Sequence, residues 1–169
     1  VVACSNRLLA LHYDPRSTPA LILAAHRDFD RRFGTPALPP ARHDNRPDAD
    51  RRIRVGYVSA DLRAHPVGYF LSPVLPAHDR RRVEVFCYAD SRVADALTRR
   101  LGAASDVWRA TAGLGHDDLA RQVRDDRIDI LVDLAGHTAK NRLPMFAQRP
   151  APVQVTWAGY VGTTGMAAI

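Results

Sequence analysis

From Ile53 to Trp157 the chain alternates short apolar runs of strand length with stretches of helix length, and that rhythm restricts the fold more than any other feature. Ile53–Ser59 (IRVGYVS) reads as a strand, Pro66–Ala77 as a helix, Val83–Ala89 as a second strand and Val93–Ala104 as a second helix. Val107–Arg109 gives a short strand, His116–Asp126 a helix and Ile128–Leu134 a strongly apolar strand. Asn141–Ala147 then forms a short helix and Val153–Trp157 a last strand. Strands separated by helices predict parallel pairing with right-handed crossovers, because a parallel connection must pass back over the sheet. The expected class is α/β, a Rossmann-like parallel sheet flanked by helices.

A different pattern precedes it. Val1–Tyr13 carries Val2, Leu8, Leu9 and Leu11, which fits one short helix stopped near Asp14-Pro15. Ser17-Thr18-Pro19 then offers capping hydroxyls before an early helical proline, and a helix over Pro19–Phe33 follows, ended by Gly34. Thr35–Asp50 is polar, proline-rich and without periodicity. The expected organisation is a short helical segment over 1–34, a linker over 35–50 and the Rossmann-like lobe over 51–169.

Composition narrows the function classes. The length of 169 residues and a 46% apolar fraction suit a globular domain with a real core. No apolar run reaches membrane-spanning length and the amino end lacks a signal-peptide profile, so the expectation is a cytoplasmic protein without membrane contact. The chain opens on Val1 and stops at Ile169 within an apolar stretch, which reads as a piece of something longer. Cys4 and Cys87 have no CxxC spacing, so neither a disulfide framework nor a structural zinc site is expected. The net charge of +6 rests on arginine, since Lys140 is the one lysine. Those arginines are scattered, mixed with aspartates and not interleaved with stacking aromatics, which argues against a nucleic-acid partner.

Three strand-to-loop junctions gather polar groups and glycine. They are Ser59–His65, Asp133–Thr138 and Gly159–Gly165, and in a parallel sheet all three leave by the same edge. His65 precedes a proline and sits at or beside a helix N-cap, where the helix dipole disfavours imidazolium. A neutral imidazole there can serve as a general base or orient a hydroxyl, and it can equally be a plain cap. His137 follows a strand between Gly136 and Thr138, and Asp133 ends that strand as a ligand, an orienting carboxylate or a turn cap. The glycine-rich loop has neither GxGxxG nor a Walker lysine, so it is a weak phosphate cradle. No HExxH, GxSxG or paired-carboxylate pattern occurs.

The motifs RVGYVSADLRAHPVGYFLSPVLPAHDR, VEVFCYAD and IDILVDLAGHTAKNRLPMFAQRPAPVQVTWAGY with its GTTG tail resemble the amino-terminal lobe of the catalytic region of Spindly-like protein O-GlcNAc transferases. YDP at Tyr13–Pro15 and AHRDFDRRF at Ala25–Phe33 extend the likeness, which runs from about Asn6 to Gly165. The resemblance implies a two-lobed GT-B glycosyltransferase that moves N-acetylglucosamine from UDP-GlcNAc to Ser or Thr hydroxyls of proteins or peptides. It implies inversion, no required metal and no cofactor beyond the donor substrate. The matched lobe forms the acceptor side, and most UDP contacts belong to a carboxy-terminal lobe not seen in this sequence. A chain with one lobe is therefore expected to be catalytically incomplete.

The resemblance implies an active-site role for His65 and sets Asp133, Gly136, His137 and Thr138 along the same cleft; together with the shared strand edge, His65 and His137 are the catalytic candidates. Asp61, Asp133, Gly136, Thr138, Gly159, Tyr160, Thr163 and Thr164 are the candidates for lining the cleft. Val161 stands where the family's GYPGTTG loop carries proline, which loosens the expected backbone restriction. Two other readings share this fold: a fucosyl- or asparagine-directed transferase lobe, and a non-catalytic module that binds a partner protein.

Overall fold

The computed structural model describes residues 1–34 and 42–169, so the expected linker lies outside the described residues over 35–41. Two helices come first, α1 (Val2–Leu11) and α2 (Pro19–Phe33). Then β1 (Ile53–Ser59), α3 (Pro66–Ala77), β2 (Val83–Ala89), α4 (Ala96–Ala103), β3 (Val107–Ala110) and α5 (His116–Asp125) alternate. β4 (Ile130–Asp133), α6 (Leu143–Phe146) and β5 (Val153–Thr156) complete the chain.

All four strand pairings are parallel, in the order β3-β2-β1-β4-β5. The order reverses between β1 and β4. The connections after those two strands run to opposite sides, which opens a crevice at their carboxyl ends. Alternation along the strands fills both faces. Val55, Tyr57, Val85, Cys87 and Val132 meet Val67, Leu71 and Leu75 of α3 and Leu97 and Leu101 of α4. On the other face Val58, Phe86, Tyr88 and Leu131 meet Leu119 and Val123 of α5 and Met145 and Phe146 of α6. Burial on both sides explains why these strands read as nearly continuous apolar runs.

Local chemistry moved some boundaries. Helix α4 was expected from Val93 and begins at Ala96, because Asp95 is extended and caps it: its carboxylate accepts from Thr98 N–H, and Thr98 Oγ1 accepts from Asp95 N–H. β4 was expected from Ile128 and pairs from Ile130, because Arg127 turns the chain at φ +50° and Asp129 is taken up by Arg51. The two amino-terminal helices pack on the rest of the chain through Leu8 and Phe29, against Leu143, Ala147 and Met166.

Candidate functional site

The turn after β1 is built by its own sequence. Ser59 Oγ accepts from Asp61 N–H, and the turn then reaches His65, whose extended backbone (φ −155°, ψ 151°) makes it the N-cap of α3 with Pro66 at the first helical position. Gly68 is required there, because a Cβ would lie 2.2 Å from Arg63 O. The HPVG run is thus a cap, a helix starter and a gap through which the preceding loop passes. His65 Nδ1 accepts from Val67 N–H at 3.3 Å, so in the neutral ring the hydrogen is on Nε2. Asp61 lies beside it, with Oδ2 3.8 Å from Nδ1 and Oδ1 held by Arg63 at 2.9 Å. His65 and Asp61 are both partly accessible.

The turn after β4 is constructed differently. Asp133 is 1% exposed, and its carboxylate accepts from Ala135 N–H, Gly136 N–H and Thr156 Oγ1–H. Burial raises its pKa, opposed by these three bonds. The sequence placed Asp133 and Gly136 along the cleft. The structure buries both, with Asp133 shaping the turn and Gly136 (φ +54°) pressed against Tyr160.

His137 departs furthest from expectation. It has no exposed surface and both ring nitrogens are engaged, so it is not displayed beside His65. Nε2 donates to Thr164 O at 2.8 Å, because a carbonyl can only accept, and Nδ1 therefore accepts from Ser5 Oγ–H at 3.1 Å. Asn141 donates in turn to Ser5 Oγ. Burial lowers the His137 pKa to about 4, partly offset by the Thr164 bond and reinforced by His26 and His12.

Tyr160 extends this arrangement. His26 Nδ1 donates to Ile22 O at 2.7 Å, which fixes Nε2 as the acceptor of Tyr160 O–H at 2.8 Å. The Tyr160 oxygen then accepts from His12 Nε2–H at 3.1 Å. His137 packs edge-on to His26, Tyr160 and Phe29. Three histidines and one tyrosine thus tie α1 and α2 to the loops after β4 and β5. The glycines of the last loop serve close packing more than anion cradling: a Cβ on Gly159 would lie 1.8 Å from Leu134 O. The loop is held by Tyr160 despite the exposed Val161. Thr164 is buried, whereas Thr138, Gly159, Tyr160 and Thr163 keep accessible surface.

Strand register sets these loops side by side, with Val58 opposite Asp133 and Asp133 opposite Thr156. Two neighbours of His65 escaped the sequence reading: Tyr69 and Phe70 of α3 are 61% and 60% exposed one turn further on. Within the expected helix Pro66–Ala77, nothing in the local pattern marks these two aromatics as exposed. Among the described residues no group of three His, Cys, Asp or Glu is placed to hold a metal ion. No helix described is long and apolar enough to cross a membrane.

Residues 37–169 match the family model described as glycosyl transferase family 41. A probable UDP-N-acetylglucosamine–peptide N-acetylglucosaminyltransferase SPINDLY of Hordeum vulgare is 42% identical over 171 residues, covering 99% of this chain and 18% of that protein. The SEC protein of Arabidopsis thaliana, described by the same activity, is 37% identical over 140 residues, covering 79% of this chain and 14% of its own length. A mutant O-GlcNAc transferase of Thermobaculum terrenum superposes with a TM-score of 0.94 at 49% identity, covering 99% of this chain and 32% of that one. The chain spans less than a fifth of the length of these curated relatives.

Proposed function

Because the chain belongs to glycosyl transferase family 41, we propose that it forms the acceptor side of a protein O-glycosyltransferase that uses UDP-GlcNAc. The observation that carries this reading is the place of His65, an accessible imidazole on the turn that borders the strand-order reversal of a GT-B lobe. Its partners are a protein or peptide acceptor and a carboxy-terminal lobe that holds most of the donor. Residues 1–34 act as a helical cap on the lobe that begins near residue 51, and the setting is the cytoplasm.

In inverting transfer the acceptor Ser or Thr oxygen bonds to the anomeric carbon as the bond to the UDP oxygen breaks, and the hydroxyl proton passes to the departing UDP phosphate or to water. His65 contributes by orientation. Its Nδ1 lone pair is occupied by Val67 N–H, so the neutral ring presents an Nε2–H donor rather than a vacant base. A donor at that position fixes the direction of a sugar or hydroxyl oxygen. Asp61 and Arg63 hold the turn, and Tyr69 and Phe70 give the acceptor chain an apolar surface beside it. Thr138, Gly159, Tyr160 and Thr163 border the same edge. Asp133, Gly136, His137 and Thr164 act from behind, by shaping and anchoring the loops.

The test is transfer of radiolabelled GlcNAc from UDP-GlcNAc to acceptor peptides, with this chain alone and with a form extended by a second Rossmann lobe. Transfer is expected only from the extended form. Turnover by the 169-residue chain alone would overturn the one-wall reading, and transfer from a fucosyl donor instead would replace the sugar while keeping the lobe.

A further inference from the structure

At the amino ends of β1, β2 and β4, Arg46, Arg51, Arg52, Arg54 and Arg127 surround Glu84 in a recess of about 280 Å³. The recess lies on the sheet edge opposite His65, with roughly 20 Å of β1 between them. Its walls are fixed. Asp129 accepts from Arg51 Nη1 and Nη2 at 2.7 and 2.6 Å, and Glu84 accepts from Arg54 Nε at 2.9 Å and lies 3.5 Å from Arg52 Nη2. Asn45 donates to Arg127 O, Ile128 O and Asp129, which stitches the segment before β1 onto the sheet edge.

Donors exceed acceptors after these bonds are made. Arg46 and Arg127 are exposed and have no ion-pair partner among the described residues, and the Arg54 Nη2 hydrogens are likewise uncommitted there. Five guanidinium groups line the recess with Glu84 as its one carboxylate, while Asp129 is held by Arg51 and Asp48 acts on Arg51 from nearby. Guanidinium forks match phosphate oxygens, and the recess has room for more than one phosphoryl group. No aromatic face lines it, so recognition would centre on phosphate rather than on a base or sugar ring.

We propose that this recess binds a small ligand carrying a diphosphate, at a site separate from the candidate cleft. Calorimetric titration of the chain with sodium pyrophosphate at low salt, paired with amide chemical-shift mapping, tests it. Saturable binding is expected, with shifts concentrated at 45–54 and 127–129, and sulfate should bind about tenfold or more weakly. The double variant Arg46→Gln, Arg127→Asn should lose at least about tenfold in pyrophosphate affinity with an unchanged melting temperature, since neither side chain is in an ion pair and Asn tolerates the positive φ at 127. Shifts centred on 59–65, an affinity unchanged in the double variant, or no binding at roughly millimolar pyrophosphate would each overturn the proposal. A phosphoserine peptide that binds as tightly as pyrophosphate would overturn the assignment to a small free ligand.

Discussion

Acidification should loosen the attachment of α1 and α2, and His137 sets the size of the effect. In the folded chain burial holds its pKa near 4, against 6.5 for a free imidazole. Between those values the unfolded chain binds a proton at this residue and the folded chain does not, so stability falls as pH drops from about 6.5 to about 4. The full difference corresponds to about 3 kcal/mol, of which about 2 kcal/mol is lost by pH 5. His26, also lowered by burial, adds in the same direction, whereas Asp133, raised by burial, opposes it. A variant comparison isolates the His137 contribution. His137→Gln retains a donor for Thr164 O and an acceptor for Ser5 Oγ–H but cannot titrate. Urea unfolding followed by fluorescence of Trp108 and Trp157 at pH 7.5 and pH 5 gives both stabilities. The advantage of the native chain over the variant should shrink by about 2 kcal/mol at the lower pH. An advantage that stays constant with pH would refute the claim that His137 is held neutral by its burial.

Further outcomes follow from other contacts. Arg142 and Asp90 form a nearly buried bidentate pair at 2.7 and 2.8 Å, and Arg142 Nη1 also donates to Leu114 O. Arg142→Ala strands the carboxylate and should cost about 3 kcal/mol in urea unfolding at pH 7.5. Gly159→Ala drives a methyl group into the Leu134 carbonyl and should cost at least about 2 kcal/mol, read as a lowered thermal midpoint. His65→Ala removes the α3 cap and should cost about 1 kcal/mol, whereas His65→Asn, with a side chain that can cap, should cost less.

The sheet was legible in the sequence because its strands are local, apolar and bounded by proline, glycine and capping residues. Pro19–Phe33, Ile53–Ser59, Pro66–Ala77 and Val83–Ala89 form over the expected residues. The α4 start was less legible, because Asp95 is bound by Ala64 N–H as well as by Thr98, and a contact 31 residues away leaves no local pattern. The candidate site divides in the same way. His65 could be placed from its own turn, since strand, proline and glycine are all within a few residues. His137 could not, because its partners Ser5 and Thr164 are 132 and 27 residues away. His12 and His26 carry no local signal for the same reason: Tyr160, which joins them, is more than 130 residues from either. A histidine after a strand has the same local appearance whether it faces a cleft or ties two loops together.

In the proposed reaction the His65 imidazole orients the reacting groups beyond its role as a cap. Steady-state transfer from UDP-GlcNAc by the extended protein, comparing native, His65→Ala and His65→Asn forms, tests it most directly. Both variants should lose at least about tenfold in kcat, about 1.4 kcal/mol of transition-state stabilisation, although Asn preserves the cap. Native turnover in the His65→Asn form would rule out the orienting role and leave His65 as a helix cap alone.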